Sequence, residues 1–457
     1  MKPMLLVMLA GFVVVVANDR MRRNEFAATS SVQGVLEGTY SESVVESQAR
    51  EDTRAARMEA APSPNSVEGD MIMTLEQEEE YMVVQEATAE NKTRIRRSGA
   101  TAFKGWPNGT LVYTYAADVS SHTKLLFEKA IKKYKEKTGI QFVEAHDGSY
   151  VGTIQPLTVR QRGAGCYATL GCVGVNCGGF INLQKYACEV IGVMLHEIGH
   201  ALGRFHEHTR SDRDNHIFVI RSNIRPGFEK NFEKRQWPIV APYDSHSVMH
   251  YAALAYSRDG VSETIFPYNA RDRLKMGRQS ELTRLDAYSI NAAYNLFECS
   301  SPENVWKRCR RGGVPNKHCT CDCLPTFSGP YCETFEKPTD CSQIHTRRSG
   351  TITSPGFPRR YPNNAHCTYV IECSEKSLVE LRFKNFRLEA GNCWYDTLSI
   401  FMGVLESETY PDVYCGNFLQ GQLLVSFDNV VIMDFKSDSG IRFPGFEVKY
   451  RCVPTYY

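Results

Sequence analysis

The 457-residue sequence predicts a multidomain protein in which an α+β domain is followed by a small disulfide-rich module and an all-β sandwich. Three observations lead to this prediction. Residues 98–298 mix short strand-like runs with segments of helical periodicity. Residues 299–333 hold six cysteines in a stretch too short for a hydrophobic core of its own. Residues 341–452 show the alternating apolar pattern of half-buried strands.

A targeting segment and a removable leader precede these domains in the prediction. Residues 1–17 are an apolar run behind Lys2 that ends in small residues and is too short to span a bilayer, which is typical of a secretory signal peptide. Residues 18–97 are poor in aromatic residues, lack cysteine and cannot bury enough apolar surface to order themselves fully. They end in Arg-Ile-Arg-Arg, which predicts cleavage after Arg97 by a furin-like convertase, with a solvated basic run as the alternative.

Composition narrows the class of partners. The formal net charge is +1, so nothing favours a nucleic acid or an anionic membrane. No segment after residue 17 is long and apolar enough to span a bilayer, and sixteen cysteines indicate an oxidising compartment. We therefore expect a secreted, extracellular protein with disulfide bonds.

The α+β domain is expected to contain short strands and three helices. The strand-like runs are Leu111–Tyr115, Ile140–Val143, Tyr150–Ile154 and Phe180–Leu183. Helices are predicted from a Ser120/Ser121 cap to about Lys137, at about Glu189–Leu202, and after a capping box made by Thr283 and Asp286.

Residues 196–200 read H-E-I-G-H, the H-E-x-x-H pattern of zinc proteases. On a helix, His196 and His200 lie on one face. Gly203 can end the helix and turn the chain, so that His206 supplies a third imidazole. Three histidines leave one zinc coordination site open for water, unlike a closed structural site. Zinc would acidify that water and polarise a scissile carbonyl, while Glu197 acts as general base. A chance match is the alternative, and Gly203 and His206 argue against it.

The stretch from His196 to Asp214 resembles the signature HExxHxxGFxHExxRxDRD of the astacin family of metzincin zinc metalloendopeptidases. The resemblance implies a buried contact of Glu207 with the new N-terminus. It also implies that Met249 forms an apolar floor under the zinc and that Tyr251 stabilises the oxyanion. Arg204 stands where the family usually has an aromatic residue, and His216 where it has Tyr; neither replaces a zinc ligand or the general base.

Two further expectations follow from the same resemblance. Astacin leaders carry an F-x-G-D motif whose carboxylate fills the open zinc position; here Val67 replaces the Phe, and Asp70 is the expected latency ligand. An ordinary Gly-Asp turn is the alternative. In the family an edge strand holds the substrate extended beside the cleft, and we expect the Tyr150–Ile154 region to do this.

The cysteines fall into three groups with even counts, so each group could close on itself. Gly139 stands where the family places the early cysteine of a long-range bond, which leaves Cys299 available to the next module. By resemblance to astacin, EGF-like and CUB modules, the expected pairs are Cys166–Cys188, Cys299–Cys319, Cys309–Cys321, Cys323–Cys332, Cys341–Cys367 and Cys393–Cys415. Cys172–Cys177 and Cys373–Cys452 are then expected as added bonds between the cysteines that remain in their groups.

Residues 299–333 resemble an EGF-like module, with a Cys-rich zinc knuckle as the alternative, and residues 341–452 resemble a CUB sandwich. The CUB resemblance suggests Ca²⁺ binding by Glu389, Asp396 and Asp438, against the alternative of solvated loop acids. Asn91 and Asn108 lie in N-glycosylation sequons. The layout is similar to that of nematode astacins and tolloid-like proteins.

Together these features predict a secreted endopeptidase made as a zymogen, which hydrolyses proteins of the extracellular matrix, a cuticle or an egg envelope. Two other classes remain. One is a catalytically silent binding protein that works through its CUB module. The other is a structural matrix component, which the open zinc site argues against.

Overall fold

The computed structural model of the chain describes two strands at 6–9 and 12–15 and then residues 69–73, 77, 105–146, 149–268, 272–274, 276–324, 326–336, 339–374, 376–391, 393–402, 412–426 and 429–454. The expected signal cleavage near Ala17, the sequon at Asn91 and the processing site at Arg97 lie outside these residues. The chain divides into two compact units, Met1–Glu51 and Asp52–Tyr457.

In the first unit, strands β1 (Leu6–Leu9) and β2 (Phe12–Val15) pair antiparallel. Among the described residues, no helix combines the length and the apolar character that crossing a membrane requires.

The α+β domain of the second unit is built on a six-stranded sheet. Its strands are β3 (Met71–Ile72), β4 (Thr110–Tyr115), β5 (Gln141–Glu144), β6 (Leu157–Arg160), β7 (Cys166–Thr169) and β8 (Phe180–Leu183), in the order β3-β7-β8-β6-β4-β5. Strand β7 runs antiparallel to β8, and the other pairs are parallel. Strand β3 comes from the expected leader and occupies the sheet edge beside β7.

Three helices complete this domain at the predicted places: α1 (Ser121–Lys137), α2 (Ile191–Ala201) and α3 (Arg284–Tyr294). Ser120 caps α1 by accepting a hydrogen bond from the Thr123 amide, and Thr283 with Asp286 forms a capping box at α3. Apolar faces of α1 and α2 pack on the sheet in one core, with Phe127, Tyr134 and Ile198 fully buried. Between α2 and α3 in the chain, β9 (Ile217–Val219) and β10 (Ile265–Pro267) form a separate antiparallel pair.

The prediction for Tyr150–Ile154 was wrong. Only an isolated bridge joins Val151 to Ile154, and Tyr150 is 52% exposed. On this side of the sheet the outermost strand from residues 98–298 is β7. It pairs with β8 on one side and on the other with the leader strand β3, which forms the edge.

The middle module consists of α4 (Pro302–Trp306) and two short ladders, β11 (Val314–Pro315) with β12 (Cys321–Asp322) and β13 (Phe327–Ser328) with β14 (Thr334–Phe335). It has no large core of its own among the described residues. Val305 and Phe327 instead share a cluster with Val370, Phe401 and Ile432 of the following sandwich. The module is stabilised by three disulfides and by its apolar contacts with the sandwich.

The C-terminal sandwich has two facing sheets. The first has the order β15 (Gln343–His345), β17 (His366–Glu372), β22 (Val430–Lys436), β19 (Thr397–Phe401), β20 (Asp412–Tyr414); the second has β16 (Ser349–Thr353), β23 (Gly445–Pro454), β18 (Ser377–Arg387), β21 (Leu423–Val425). Phe383, Phe435 and Phe446 are fully buried in the core of the sandwich.

All sixteen cysteines are paired. The bonds in the structure are Cys166–Cys188, Cys172–Cys177, Cys299–Cys319, Cys309–Cys321, Cys323–Cys332, Cys341–Cys367, Cys373–Cys452 and Cys393–Cys415, the same pairs that we expected. No disulfide joins residues 98–298 to the later modules. Noncovalent contacts make that junction, such as the hydrogen bonds that Arg284 Nη1 donates to the carbonyl oxygens of Gly312 and Asp322.

Candidate metal centre

Helix α2 and the turn after it bring three histidines together. His196 and His200 are one turn apart on α2. Gly203 has φ +84°, and its amide donates to the His200 carbonyl oxygen (2.8 Å), which ends the helix and redirects the chain. His206 therefore returns toward the first two. Its Nε2 lies 3.2 Å from Nε2 of His196, which is itself 3.0 Å from Nε2 of His200.

The donor set of this cluster fits a zinc ion. His196 Nδ1 donates to the Val248 carbonyl oxygen (2.6 Å) and His200 Nδ1 to that of Arg204 (2.8 Å), so Nε2 of both rings carries a lone pair. Lone pairs this close repel one another unless a cation lies between them. Ligands of a tetrahedral zinc with Zn–N bonds of about 2.0–2.1 Å stand roughly 3.3 Å apart, close to the observed separations.

Asp70 adds a carboxylate to the cluster. Its Oδ2 lies 3.2 Å from His196 Nε2, and its Oδ1 lies 3.1 Å from His206 Nε2 and 3.6 Å from His200 Nε2. Burial alone would raise the pKa of Asp70, but the three histidines outweigh it and hold that pKa well below its ordinary value.

The backbone around Asp70 explains how the leader reaches the site. The Ala168 amide donates to the Asp70 carbonyl oxygen (2.9 Å), and the Leu170 amide donates to that of Ile72 (2.9 Å). Gly69 has φ +82°, and a β-carbon there would stand 1.9 Å from the Tyr256 hydroxyl oxygen. Only glycine fits that close approach, and this glycine sets the backbone that brings Asp70 to the histidines.

Glu197 is a buried carboxylate beside the histidines. It is 1% exposed, and within the described residues its Oε2 has no hydrogen-bond partner. Burial and the nearby charge of Asp70 raise its pKa well above the ordinary value. The position is suited to a group that takes a proton from water in the cleft.

Met249 and Tyr251 lie under and beside the histidines. Met249 is 1% exposed, and its carbonyl oxygen accepts from the Glu207 amide (2.9 Å). The Tyr251 ring stacks on His208 at 4.0 Å between centroids and lies 4.4 Å from the His206 ring. Met249 thus contacts Glu207, the residue after the third histidine, and Tyr251 contacts the ring of that histidine. The roles that the resemblance implies, a floor under the zinc and an oxyanion donor, stay predictions.

Glu207 is enclosed by cations. Its Oε1 accepts from Arg210 Nη1 (2.8 Å) and from the Asp244 amide (3.0 Å), and Arg204 Nη2 lies 3.6 Å from its Oε2. Arg204 is 4% exposed, and its guanidinium lies 5.6 Å from the centre of the Trp237 ring. The Arg in the aromatic position is thus buried against an aromatic ring and a carboxylate. His216, the other departure, stacks on Tyr243 at 4.6 Å.

The roles of Asp286 and Gly199 in positioning the Met249 loop were not predicted from the sequence. Asp286 accepts from the Ser247 hydroxyl (2.6 Å) and the Val248 amide (3.1 Å), so the N-terminus of α3 holds the loop that carries Met249. Only the capping role of Asp286 could be predicted from the neighbouring sequence. Gly199 is the close neighbour of Met249, which no sequence signal indicates.

A second cluster of possible metal ligands lies on the loops of the sandwich and consists of three carboxylates. Oxygen atoms of Glu389, Asp396 and Asp438 all lie within 4.8 Å of one another. Asp396 is fixed, because its Oδ2 accepts from the Tyr361 hydroxyl (2.5 Å) and its Oδ1 from the Asp438 amide (2.8 Å). Burial, Asp396 and Asp438 raise the pKa of Glu389. Three converging carboxylates suit a hard cation.

Comparisons with known proteins agree with both parts of this description. The sequence model of the peptidase family Astacin matches residues 99–295, and that of the CUB domain matches residues 341–450. Protein SpAN of Strongylocentrotus purpuratus is 30% identical over 407 residues, which cover 85% of this chain and 63% of that protein. Blastula protease 10 of Paracentrotus lividus is 31% identical over 400 residues, which cover 84% and 64%.

The chain thus spans less than two thirds of the length of these two relatives. Among solved structures, high choriolytic enzyme 1 of Oryzias latipes, described as a hatching enzyme zinc-protease, is 31% identical. It matches 42% of this chain and 94% of its own, with a TM-score of 0.37.

Proposed function

The chain belongs to the astacin family of zinc metalloendopeptidases, and on that premise we propose that it is itself a secreted, zinc-dependent endopeptidase made as a zymogen. The observation that carries this proposal is the convergence of three histidine Nε2 atoms, with separations of 3.0 and 3.2 Å, on a point that a buried carboxylate also reaches. A bound cation is what reconciles lone pairs held so close together.

In this proposal His196, His200 and His206 hold the zinc. A zinc ion held there polarises a peptide carbonyl and makes a nearby water a better nucleophile. Glu197 takes the proton of that water at Oε2, which accepts no hydrogen bond from the described residues, and later gives it to the leaving amine. Tyr251, fixed by stacking on His208, donates its hydroxyl hydrogen bond to the developing oxyanion.

Asp70 keeps the uncut chain latent. Its carboxylate takes the position that water and substrate need, and strand β3 fills the edge of β7 along which a substrate would pair. Cleavage after Arg97 frees the leader from the catalytic domain. We propose the boundaries 1–17 for the signal peptide, 18–97 for the leader, 98–298 for the peptidase domain, 299–333 for an EGF-like module and 341–452 for the CUB domain.

The substrates we propose are extracellular proteins, of a matrix, a cuticle or an egg envelope, because the family and the disulfide content favour a place outside the cell. Asn108, which is exposed, is the proposed glycosylation site of the processed protein. Ca²⁺ at Glu389, Asp396 and Asp438 would order the loops of the CUB domain.

The experiment that tests this proposal uses secreted protein cut at Arg97, incubated with a proteome-derived peptide library, with new N-termini read by mass spectrometry. Wild type should cleave, a zinc chelator should stop cleavage, and added Zn²⁺ should restore it. Glu197→Ala should lose at least about 10³-fold of the activity while keeping its zinc. Glu128→Ala, which removes an exposed carboxylate on α1, is the matched control and should cleave normally.

The competing function is a binding protein that acts through its CUB domain. It would be favoured if processed, zinc-loaded wild-type protein with a normal unfolding transition produced no new N-termini. Cleavage that Glu197→Ala retained would equally contradict the proposed mechanism.

A further inference from the structure

A small apolar cluster lies beside the metal centre, apart from the main core of the domain. Its members are Met71 and Met73 of the leader together with Leu170, Phe205 and Trp237. Met71 is fully buried and Met73 is 5% exposed, whereas Ile72 between them is only half-buried. This alternation is that of a strand that presents one face to a pocket.

The pocket is next to the metal centre. Met71 directly follows Asp70, whose carboxylate lies 3.1 Å from His206 Nε2, and Phe205 directly precedes His206. On the other side, Leu170 continues β7, and the amide of the next residue, Gly171, donates to the His200 carbonyl oxygen (2.9 Å). The pocket and the three histidines are therefore parts of one cleft.

The walls belong to the catalytic domain, not to the leader. The Phe205 and Trp237 rings lie 6.1 Å apart, the Arg204 guanidinium lies 5.6 Å from the Trp237 ring centre, and the Arg235 guanidinium lies 5.7 Å from that of Phe205. None of these contacts involves a residue of the leader. Departure of Met71 and Met73 would then expose a contiguous apolar surface, which is characteristic of a ligand groove.

We propose that Leu170, Phe205 and Trp237 form a side-chain subsite that selects substrates with a long apolar residue, such as Met, Leu or Phe, close to the scissile bond. This inference rests on the proposed endopeptidase function. The Asp70 carboxylate lies at the metal centre, and Met71 and Met73 are one and three residues after Asp70 in the chain. A substrate strand on β7 therefore places its selected side chain within three residues of the cleaved bond.

Two arginines lie against the aromatic walls of the pocket. The charge of Arg204 is offset by Glu207, whose Oε2 lies 3.6 Å from Arg204 Nη2. Both guanidinium groups face ring surfaces, where they hold the aromatic walls in place. The side chains that the leader itself puts in the pocket, those of Met71 and Met73, are unbranched and uncharged.

The first test measures binding without requiring catalysis. A labelled peptide with the sequence of residues 67–77 is titrated by fluorescence anisotropy into zinc-loaded Glu197→Ala protein that has been cut at Arg97 and freed of its leader. Replacing the residue equivalent to Met71 by Ala should weaken binding by at least about tenfold, and replacing it by Asp should weaken it further. Replacing Ile72 by Ala is the matched control and should change binding by less than about threefold.

The second test measures selectivity. For wild type, kcat/KM should be about tenfold higher for peptides with Met than with Ala at the selected position. Trp237→Ala and the milder Trp237→Leu should reduce this ratio to below about threefold, because the loss in kcat/KM falls mainly on the Met peptide. A ratio that both variants retain would overturn the subsite.

The two tests separate failure of the subsite from failure of the proposed function. Absence of zinc-dependent cleavage by wild type would contradict the proposed endopeptidase function. The peptide-binding series would still decide whether the pocket selects apolar side chains. Equal binding of the Met71, Ala and Asp peptides would overturn the pocket even in an active enzyme.

Discussion

Gly199 lies directly against Met249: a β-carbon on Gly199 would stand 2.4 Å from the Met249 sulfur. Gly199 is inside α2, between the histidines of that helix, and Met249 is 1% exposed beneath them. The absence of a side chain at Gly199 is what lets the methionine approach the helix. The spacing of His196 and His200 from the loop that carries Met249 therefore depends on this glycine.

Gly199→Ala should destabilise the protein, although Ala is favoured over Gly in a helix by about 1 kcal/mol. The Met249 side chain would have to move, and because it is only 1% exposed the surrounding core leaves it little room. Overpacking of this kind costs roughly 1–3 kcal/mol or more. We expect a lower thermal midpoint and a lower zinc content per chain than in wild type. Both can be measured on the secreted protein by calorimetry and metal analysis.

A double-substitution cycle tests the stated cause. Met249→Ala removes the atom that Gly199→Ala would strike, so the cost of the glycine substitution should be much smaller in that background. Equal costs in the two backgrounds would show that the destabilisation arises elsewhere.

Local signals made much of this structure predictable. Ser120 and the pair Thr283 and Asp286 mark helix starts by hydrogen bonds within one turn, so α1 and α3 begin where the sequence indicates. The histidines could be grouped because a helix places His196 and His200 on one face and Gly203 permits the turn to His206.

Non-local pairing was not predictable in the same way. The substrate-edge strand was expected at Tyr150–Ile154, but the outermost strand of the catalytic domain is Cys166–Thr169, on whose outer side the leader strand pairs. Runs of only four or five residues carry too little periodicity to choose between such candidates. Contacts such as Asp286 with Ser247, or Gly199 with Met249, depend on how the elements pack, and no pattern in the neighbouring sequence predicts them.

Asp70→Asn should release the latency of the uncut chain. An amide keeps the shape of the carboxylate but is a poor zinc ligand, so it would no longer compete with water and substrate. Uncut Asp70→Asn protein should therefore hydrolyse a peptide substrate at least about tenfold faster than uncut wild type. After cleavage at Arg97 and removal of the leader the two proteins are identical, and equal rates at that stage are the internal control. Equal activity before cleavage would contradict the role of Asp70.

Ca²⁺ should bind the loops of the sandwich and stabilise it. Glu389, Asp396 and Asp438 repel one another without a cation, and within the described residues Glu389 Oε2 has no hydrogen-bond partner. At roughly a hundredfold excess over its dissociation constant, one bound ion adds about 2.7 kcal/mol to the free energy of unfolding. Isothermal titration with CaCl₂ should show one site in wild type and none in Asp438→Asn. Glu447→Gln, on β23 of the same sandwich, should bind as wild type does, and heat in all three proteins would place the ion elsewhere.

Asp244 should give the fold a pH-dependent stability. Burial, followed by the charges of Asp286 and Glu207, raises its pKa from 3.8 to about 7. Between these values the folded chain holds a proton at this site that the unfolded chain has lost, so the contribution of Asp244 to stability falls as the pH rises from about 4 to 7. Asp244→Asn cannot ionise. It alters the contacts with Thr283 and His246 by a constant amount but removes this slope. The thermal midpoint of Asp244→Asn minus that of wild type, measured at a fixed scan rate, should therefore increase from about pH 5 to about pH 8, and a difference independent of pH would refute the assignment.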